Sequence, residues 1–168
     1  QDNLKILKKY GYKVITPASG YLACGDTGAG KMPEPEVLFQ YIERTLAEPK
    51  DLTGKKILVT AGPTQENIDP VRYITNHSSG KMGYAVARAA MLRGAEVTLV
   101  SGQTALTPPM FVDYVQITTA EEMYQAVTER SDEQDIIIKA AAVADYRPKT
   151  VYENKVKKQD GQMSIELE

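Results

Sequence analysis

The chain has 168 residues, 42% of them hydrophobic and 25% charged, with a formal net charge of −2. These are the proportions of a globular domain with a core, and they exclude disorder, collagen or coiled coil as readings of the whole chain. With 20 basic against 22 acidic residues there is no overall positive field to hold nucleic acid, the lone Cys24 cannot form an intramolecular disulfide, and the lone His77 excludes a His-rich zinc site.

Residues 28–35 (GAGKMPEP) read as a loop punctuated by Gly and Pro. A helix is expected over 36–47, with Val37, Leu38, Tyr41, Ile42 and Leu46 on one side. The breaker-rich stretch 48–54 reads as a linker, which divides the chain at 1–50 and 51–168. Residues 56–61 (KILVTA) form an apolar, β-branched run expected to be a buried strand, followed by a long loop over 62–79. An Ala-rich helix follows over 82–93, then strands over 96–100 and 115–117. The next helix, 119–130, opens with a capping box of Thr119 and Glu122 and carries Met123, Ala126 and Val127 on its apolar face. A last strand over 135–139 runs into the small residues AAAVAD. The run 85–92 is broken by Arg88 and is far too short to span a bilayer; no secretory leader pattern is visible, so a cytoplasmic location is expected.

Strand, helix, strand, helix, strand predicts a Rossmann-like α/β fold, a parallel sheet with helices on both faces. Ligands of such sheets bind beyond the carboxyl ends of the strands. Four segments stand there or just downstream. Thr60-Ala61-Gly62-Pro63-Thr64 can present backbone N–H groups to an anion, or can be a plain strand-ending turn. In 74–83 (ITNHSSGKMG), Ser78 or Ser79 can cap a helix whose free N–H groups attract phosphate, and Gly80 and Gly83 admit a ligand or a strand. Asn76 carries a donor that does not titrate near neutrality and suits a developing oxyanion. Lys139 to Asp145 combines small residues that leave room against the backbone with a carboxylate. Lys155-Val156-Lys157-Lys158 lies in a polar stretch without apolar periodicity and reads as a mobile cationic flap or a solvated charge run. The strand-to-helix loop is too long for a dinucleotide fingerprint, and Ser101-Gly102 offers no acidic residue for a ribose, so an NAD(P)-binding oxidoreductase is the weaker reading of the same topology.

Together the boxes 60–83, 94–102 (GAEVTLVSG), 140–148 (AAAVADYRP) and 155–158 (KVKK) resemble the phosphopantothenate–cysteine ligase family, usually the C-terminal half of a bifunctional coenzyme A biosynthesis flavoprotein. Residues 17–26 and 28–35 resemble the end of its flavodoxin-like partner decarboxylase, in which the Cys matching Cys24 is the proton donor. The resemblance implies CTP-dependent joining of 4′-phosphopantothenate to L-cysteine through an acyl-cytidylate, with Mg²⁺ assisting. It implies a catalytic Asn76, Lys155 on the CTP phosphates, and nucleotide contacts from Lys139, Ala140, Ala141, Ala142 and Asp145, with Gly62 and Gly80 lining the same site. Arg72 is expected to contact the substrate phosphate or to position its loop. The family forms homodimers through this domain. The resemblance also implies that the flavin-binding (FMN) body and the remainder of the nucleotide site lie outside this stretch, which leaves an incomplete fragment with an assembly role as a further reading.

Overall fold

The computed structural model describes residues 2–157 and 164–168. They fall into two compact units, Gln1–Ala47 and Glu48–Glu168.

The first unit holds helix α1 (Asp2–Lys9), strands β1 (Ala18–Tyr21) and β2 (Thr27–Lys31), and helix α2 (Pro35–Leu46). Proline at its first turn starts α2 at the place the sequence pattern indicates, since Pro there forfeits only an N–H that would be unpaired anyway. The Gly-rich segment read as a loop over 28–35 is different: its first half is β2, paired antiparallel with β1. Backbone pairing rather than side-chain pattern makes that strand, so alternation gave no signal. None of the described residues up to Ala47 is buried.

The second unit is built on a parallel sheet in the order β7-β6-β3-β8, from β3 (Lys56–Ala61), β6 (Glu96–Ser101), β7 (Asp113–Gln116) and β8 (Ile136–Lys139). Alternation across the pleat sends Ile57, Val59, Ala61, Val97 and Leu99 to one face, where α3 (Lys81–Leu92) supplies Tyr84, Ala87, Ala90 and Met91. Leu58 and Val100 face the other way, onto Met123 and Ala126 of α4 (Ala120–Ser131). Helices therefore cover both faces, as the element order predicts. Among the described residues β8 stands at the sheet edge, with Ile136 and Ile137 exposed.

The capping box on α4 is present as read. Thr119 Oγ1 accepts from the Glu122 N–H, and the Glu122 carboxylate accepts from the Thr119 N–H. The expected serine cap on α3 is absent. Gly80 occupies the N-cap position at φ 72°, a left-handed conformation that excludes most side chains, and Ser78 Oγ accepts from the Gly80 N–H instead. The loop expected over 62–79 contains an antiparallel hairpin, β4 (Gln65–Asp69) and β5 (Arg72–Thr75). It was hidden because its buried positions include Glu66 and Asp69, so polarity does not alternate with burial.

Candidate functional site

The carboxyl end of β3 is where the second unit gathers its loops. Beyond Ala61 the chain continues pairing in parallel with the segment after β8 through a bridge between Pro63 and Ala142. Ala142 N–H donates to the Gly62 carbonyl at 2.9 Å, and Thr64 N–H to the Ala142 carbonyl at 3.2 Å. Two threonine hydroxyls reinforce the seam. Thr60 Oγ1 accepts from the amides of Ala140 and Ala141 at 3.2 and 3.3 Å, and Thr64 Oγ1 accepts from Ala144 N–H at 2.9 Å. The 140–144 segment is thus pinned as a smooth backbone wall, and its small side chains leave that wall uncovered.

α3 lies directly on this seam. A Cβ on Gly83 would stand 2.5 Å from Ala61 Cβ and 2.9 Å from the Thr60 carbonyl oxygen, so only glycine admits the helix this close. The glycine expected to admit either a ligand or the strand admits the strand. Around Gly80 the space is filled by Thr104 and Gly62. Past Gly80, the amides of Lys81 and Met82 have no hydrogen-bond partner among the described residues, and both residues are exposed. Free first-turn N–H groups with the positive end of the helix dipole make a local anion-attracting surface.

Asn76 is placed by the end of the hairpin. Thr75 Oγ1 donates to the Thr64 carbonyl at 2.7 Å, which fastens the exit of β5 to the β3 loop. Asn76 Nδ2 then donates to the Val143 carbonyl at 3.0 Å, with a longer contact to the Ala142 carbonyl at 3.4 Å. The Val143 bond is the stronger of the two, and the amide nitrogen carries two protons. Asn76, Gly62, Gly80, Ala140, Ala141 and Ala142 are therefore brought together. Lys139 ends β8 as an exposed residue at the same edge. Asp145, exposed at the far end of the alanine segment, lines a cavity of about 310 Å³ with Glu66, Tyr124, Tyr146 and Arg147. Glu66, buried in β4, accepts from the Ala120 N–H at 2.9 Å and so occupies the N-terminus of α4.

Arg72 is committed elsewhere. Its guanidinium makes a two-pronged ion pair with Asp69, through Nε at 3.0 Å and through Nη2, and Nη2 also donates to the Val156 carbonyl at 3.0 Å. The Asp69 carboxylate accepts further from the amides of Val71, Arg72 and Val156. The Arg72 hydrogen bond holds the Asp69 carboxyl well below the usual carboxylate range, against the opposing effect of burial; the Val71 and Val156 amides add to it. Of the two roles expected for Arg72, the loop-positioning one matches these contacts.

Lys155 follows from the same clip. Tyr152 N–H donates to the Ile68 carbonyl at 3.0 Å, and Val156 is held on both its N–H and C=O, so the segment is tied to the hairpin at Tyr152 and Val156. Lys155 is exposed and makes no ion pair among the described residues; Lys158 lies outside them. Arg72 and Asn76 stand at opposite ends of β5, about 13 Å apart for four extended residues. The structure thus places the lysine segment at one end of that strand and Asn76 at the other. Cys24 sits exposed in the β1–β2 turn of the first unit, its Sγ 4.0 Å from Asp26 Oδ2.

Thr60 and Thr64 lie in the segment singled out from sequence for its backbone N–H groups, but the pinning role of their hydroxyls, and Glu66 and Asp69 altogether, carried no signal of that kind. Only Asp69 left a trace there, as an Asp before Pro in a turn whose amides it can accept.

A parallel α/β sheet with an Ala- and Gly-walled strand end, a helix N-terminus and a side-chain amide at the junction defines the class of α/β domains whose ligand sites lie beyond the carboxyl ends of the strands. A family model described as DNA/pantothenate metabolism flavoprotein C-terminal domain matches residues 52–168, and the chain belongs to that family. The chain is 54% identical over 160 residues to the coenzyme A biosynthesis bifunctional protein CoaBC of Vibrio vulnificus, covering 95% of this chain and 40% of the relative. It is 48% identical over 168 residues to the protein of that name from Bacillus subtilis, covering 98% and 41%. The chain therefore spans about two fifths of the length of these curated relatives. Among solved structures it resembles the C-terminal domain of a CoaBC protein with a TM-score of 0.63 at 54% identity, over 71% of this chain and 56% of that one. It also resembles the DNA/pantothenate metabolism flavoprotein of Streptococcus pneumoniae with a TM-score of 0.61 at 29% identity, over 68% and 60%.

Proposed function

We propose that the second unit is the nucleotide-handling portion of a CTP-dependent phosphopantothenate–cysteine ligase acting in coenzyme A biosynthesis. The observation that carries the reading is the seating of Asn76 on the Ala142–Val143 backbone beside the open N-terminus of α3. A carboxylate is a poor electrophile, so amide formation first needs activation. The phosphopantothenate carboxylate oxygen attacks the α-phosphorus of CTP, and pyrophosphate leaves. The cysteine amine then attacks the acyl carbon, and CMP leaves. In the first step charge gathers on phosphate oxygens, which suits the α3 amides and Lys155. In the second step an oxyanion forms on the acyl carbon, and Asn76 Nδ2 supplies a neutral donor for it. Ala140, Ala141, Ala142 and Gly62 shape the wall against which the nucleotide lies, Gly80 sets the helix entry, and Lys139 and Asp145 flank that wall.

Among the described residues no group of three or more His, Cys, Asp or Glu side chains could hold a metal. Mg²⁺ would be bound mainly by the triphosphate oxygens and would neutralise phosphate charge. The first unit is the end of a flavodoxin-like decarboxylase domain in the longer protein. FMN and the proton-donor role of Cys24 belong to that domain. Homodimerisation through the second unit and a cytoplasmic location complete the reading; among the described residues no helix is long and apolar enough to cross a membrane. The test is a pyrophosphate-release assay on the full-length protein with CTP, 4′-phosphopantothenate and cysteine. Release that needs all but cysteine, with an acyl-cytidylate trapped in its absence, is expected. Release independent of phosphopantothenate would overturn the ligase reading.

A further inference from the structure

The Asp69 carboxylate is buried at 2% residue exposure, and everything it binds belongs either to its own turn or to one distant peptide segment. It accepts from Val71 N–H and Arg72 N–H at 3.0 Å each, from the Arg72 guanidinium, and from Val156 N–H at 3.1 Å. Arg72 then returns a hydrogen bond to the Val156 carbonyl at 3.0 Å. Both backbone groups of Val156 are consumed by one ion pair 84 residues or more away in sequence. Val156 is half-buried, and its neighbours Lys155 and Lys157 are exposed.

Burying the Asp69 carboxylate costs desolvation that offsets much of its attraction to the part-exposed Arg72 guanidinium, so the pair is a poor device for stability alone. What this pair does that an apolar pair could not is accept an N–H and donate to a C=O at the same residue. The segment 151–157 has almost no apolar burial to hold it otherwise; Tyr152 N–H to Ile68 is its other backbone tie to the hairpin. We propose that Asp69 and Arg72 are positioning residues, a clip on Val156 that sets where Lys155 and Lys157 stand before a nucleoside triphosphate arrives. This rests on the ligase reading above. Ordering the lysine segment in advance removes part of the entropic cost of closing it on phosphate.

The experiment uses the full-length protein with Asp69→Asn and Arg72→Lys. Hydrogen–deuterium exchange at the Val156 amide is read beside steady-state kinetics for CTP and for cysteine. Asp69→Asn is expected to speed Val156 exchange and raise KM for CTP, each by about tenfold, through loss of a charged acceptor. KM for cysteine stays within about twofold, because the clip does not touch that substrate. Arg72→Lys keeps the charge but not the fork, so it gives the same pattern at smaller amplitude. Unchanged Val156 exchange, or equal losses toward CTP and cysteine, would overturn the clip. If Asp69→Asn does not fold, Arg72→Lys decides by the same criteria. Failure of the ligase reading is distinct: wild type would then release no CTP-dependent pyrophosphate at all.

Discussion

Asn76 reaches across 67 residues of sequence to donate its side-chain amide to the Val143 carbonyl at 3.0 Å. The bond works only for a donor. In Asn76→Asp a carboxylate would face carbonyl oxygens and could neither keep the bond nor stabilise an oxyanion. Product formation is expected to fall by about 10²–10³-fold, the usual cost of one such donor, while acyl-cytidylate builds up. Quenched reactions with labelled CTP measure both. Loss of turnover with no intermediate would move Asn76 to the activation step.

Lys155 has no ionic partner among the described residues, so its charge is available to a ligand. Lys155→Gln keeps the length of the side chain roughly and removes the charge. CTP-dependent pyrophosphate release is expected to drop on the order of 10²-fold, with folding stability unchanged, because an exposed lysine contributes little to the core. Steady-state kinetics and a urea titration check the two halves. An unaltered dependence on CTP would remove Lys155 from the phosphate site.

Gly83→Ala inserts a methyl group where Ala61 Cβ is 2.5 Å away and the Thr60 carbonyl oxygen 2.9 Å away. Both obstacles belong to β3 and neither is a flexible tip, so α3 has to move off the strand. A loss of about 1–3 kcal/mol is expected, the range for overpacking, and a urea denaturation midpoint reads it. A neutral result would mean that the helix repositions freely over the sheet.

Thr64 is fully buried, and its hydroxyl accepts the Ala144 amide. Thr64→Val has nearly the same shape and leaves that N–H unpaired, at about 1–2 kcal/mol. Thr64→Ser restores the acceptor and most of the stability. If valine and serine behave alike in denaturant titrations, the hydroxyl is not what holds the alanine segment.

The carboxyls of Asp69, Asp51 and Asp135 are all held below the ordinary value of 3.8, by Arg72, by Arg93, and by the Lys56 amide with Lys55 respectively. Between the folded and unfolded pKa values the unfolded chain binds more protons, so these groups stabilise the fold fully above about pH 5 and progressively less below it. Denaturation midpoints should be flat from neutrality to about pH 5 and fall as the pH drops through 4 and below. Asp69→Asn should flatten that acid limb. Stability that rises on acidification would contradict the sign.

Hydrophobic period and capping chemistry are local properties, and the strands 56–61 and 96–101, both helices flanking the sheet and the Thr119–Glu122 box were legible for that reason. Gly near the strand ends signalled close backbone approach too, as Gly83 against Ala61 shows. Tertiary structure decided what no local pattern encodes. The β4–β5 hairpin buries Glu66 and Asp69, whose partners, the amides of Ala120 and Val156, lie 54 and 87 residues away. β8 stands at an edge because of strand order, which composition does not reveal. Arg72 pairs with Asp69 because a buried carboxylate next to it requires a partner, a contact that matches the loop-positioning alternative. A chain can announce which groups are chemically able to act, but a buried polar group declares its role only when folding supplies the atom that satisfies it.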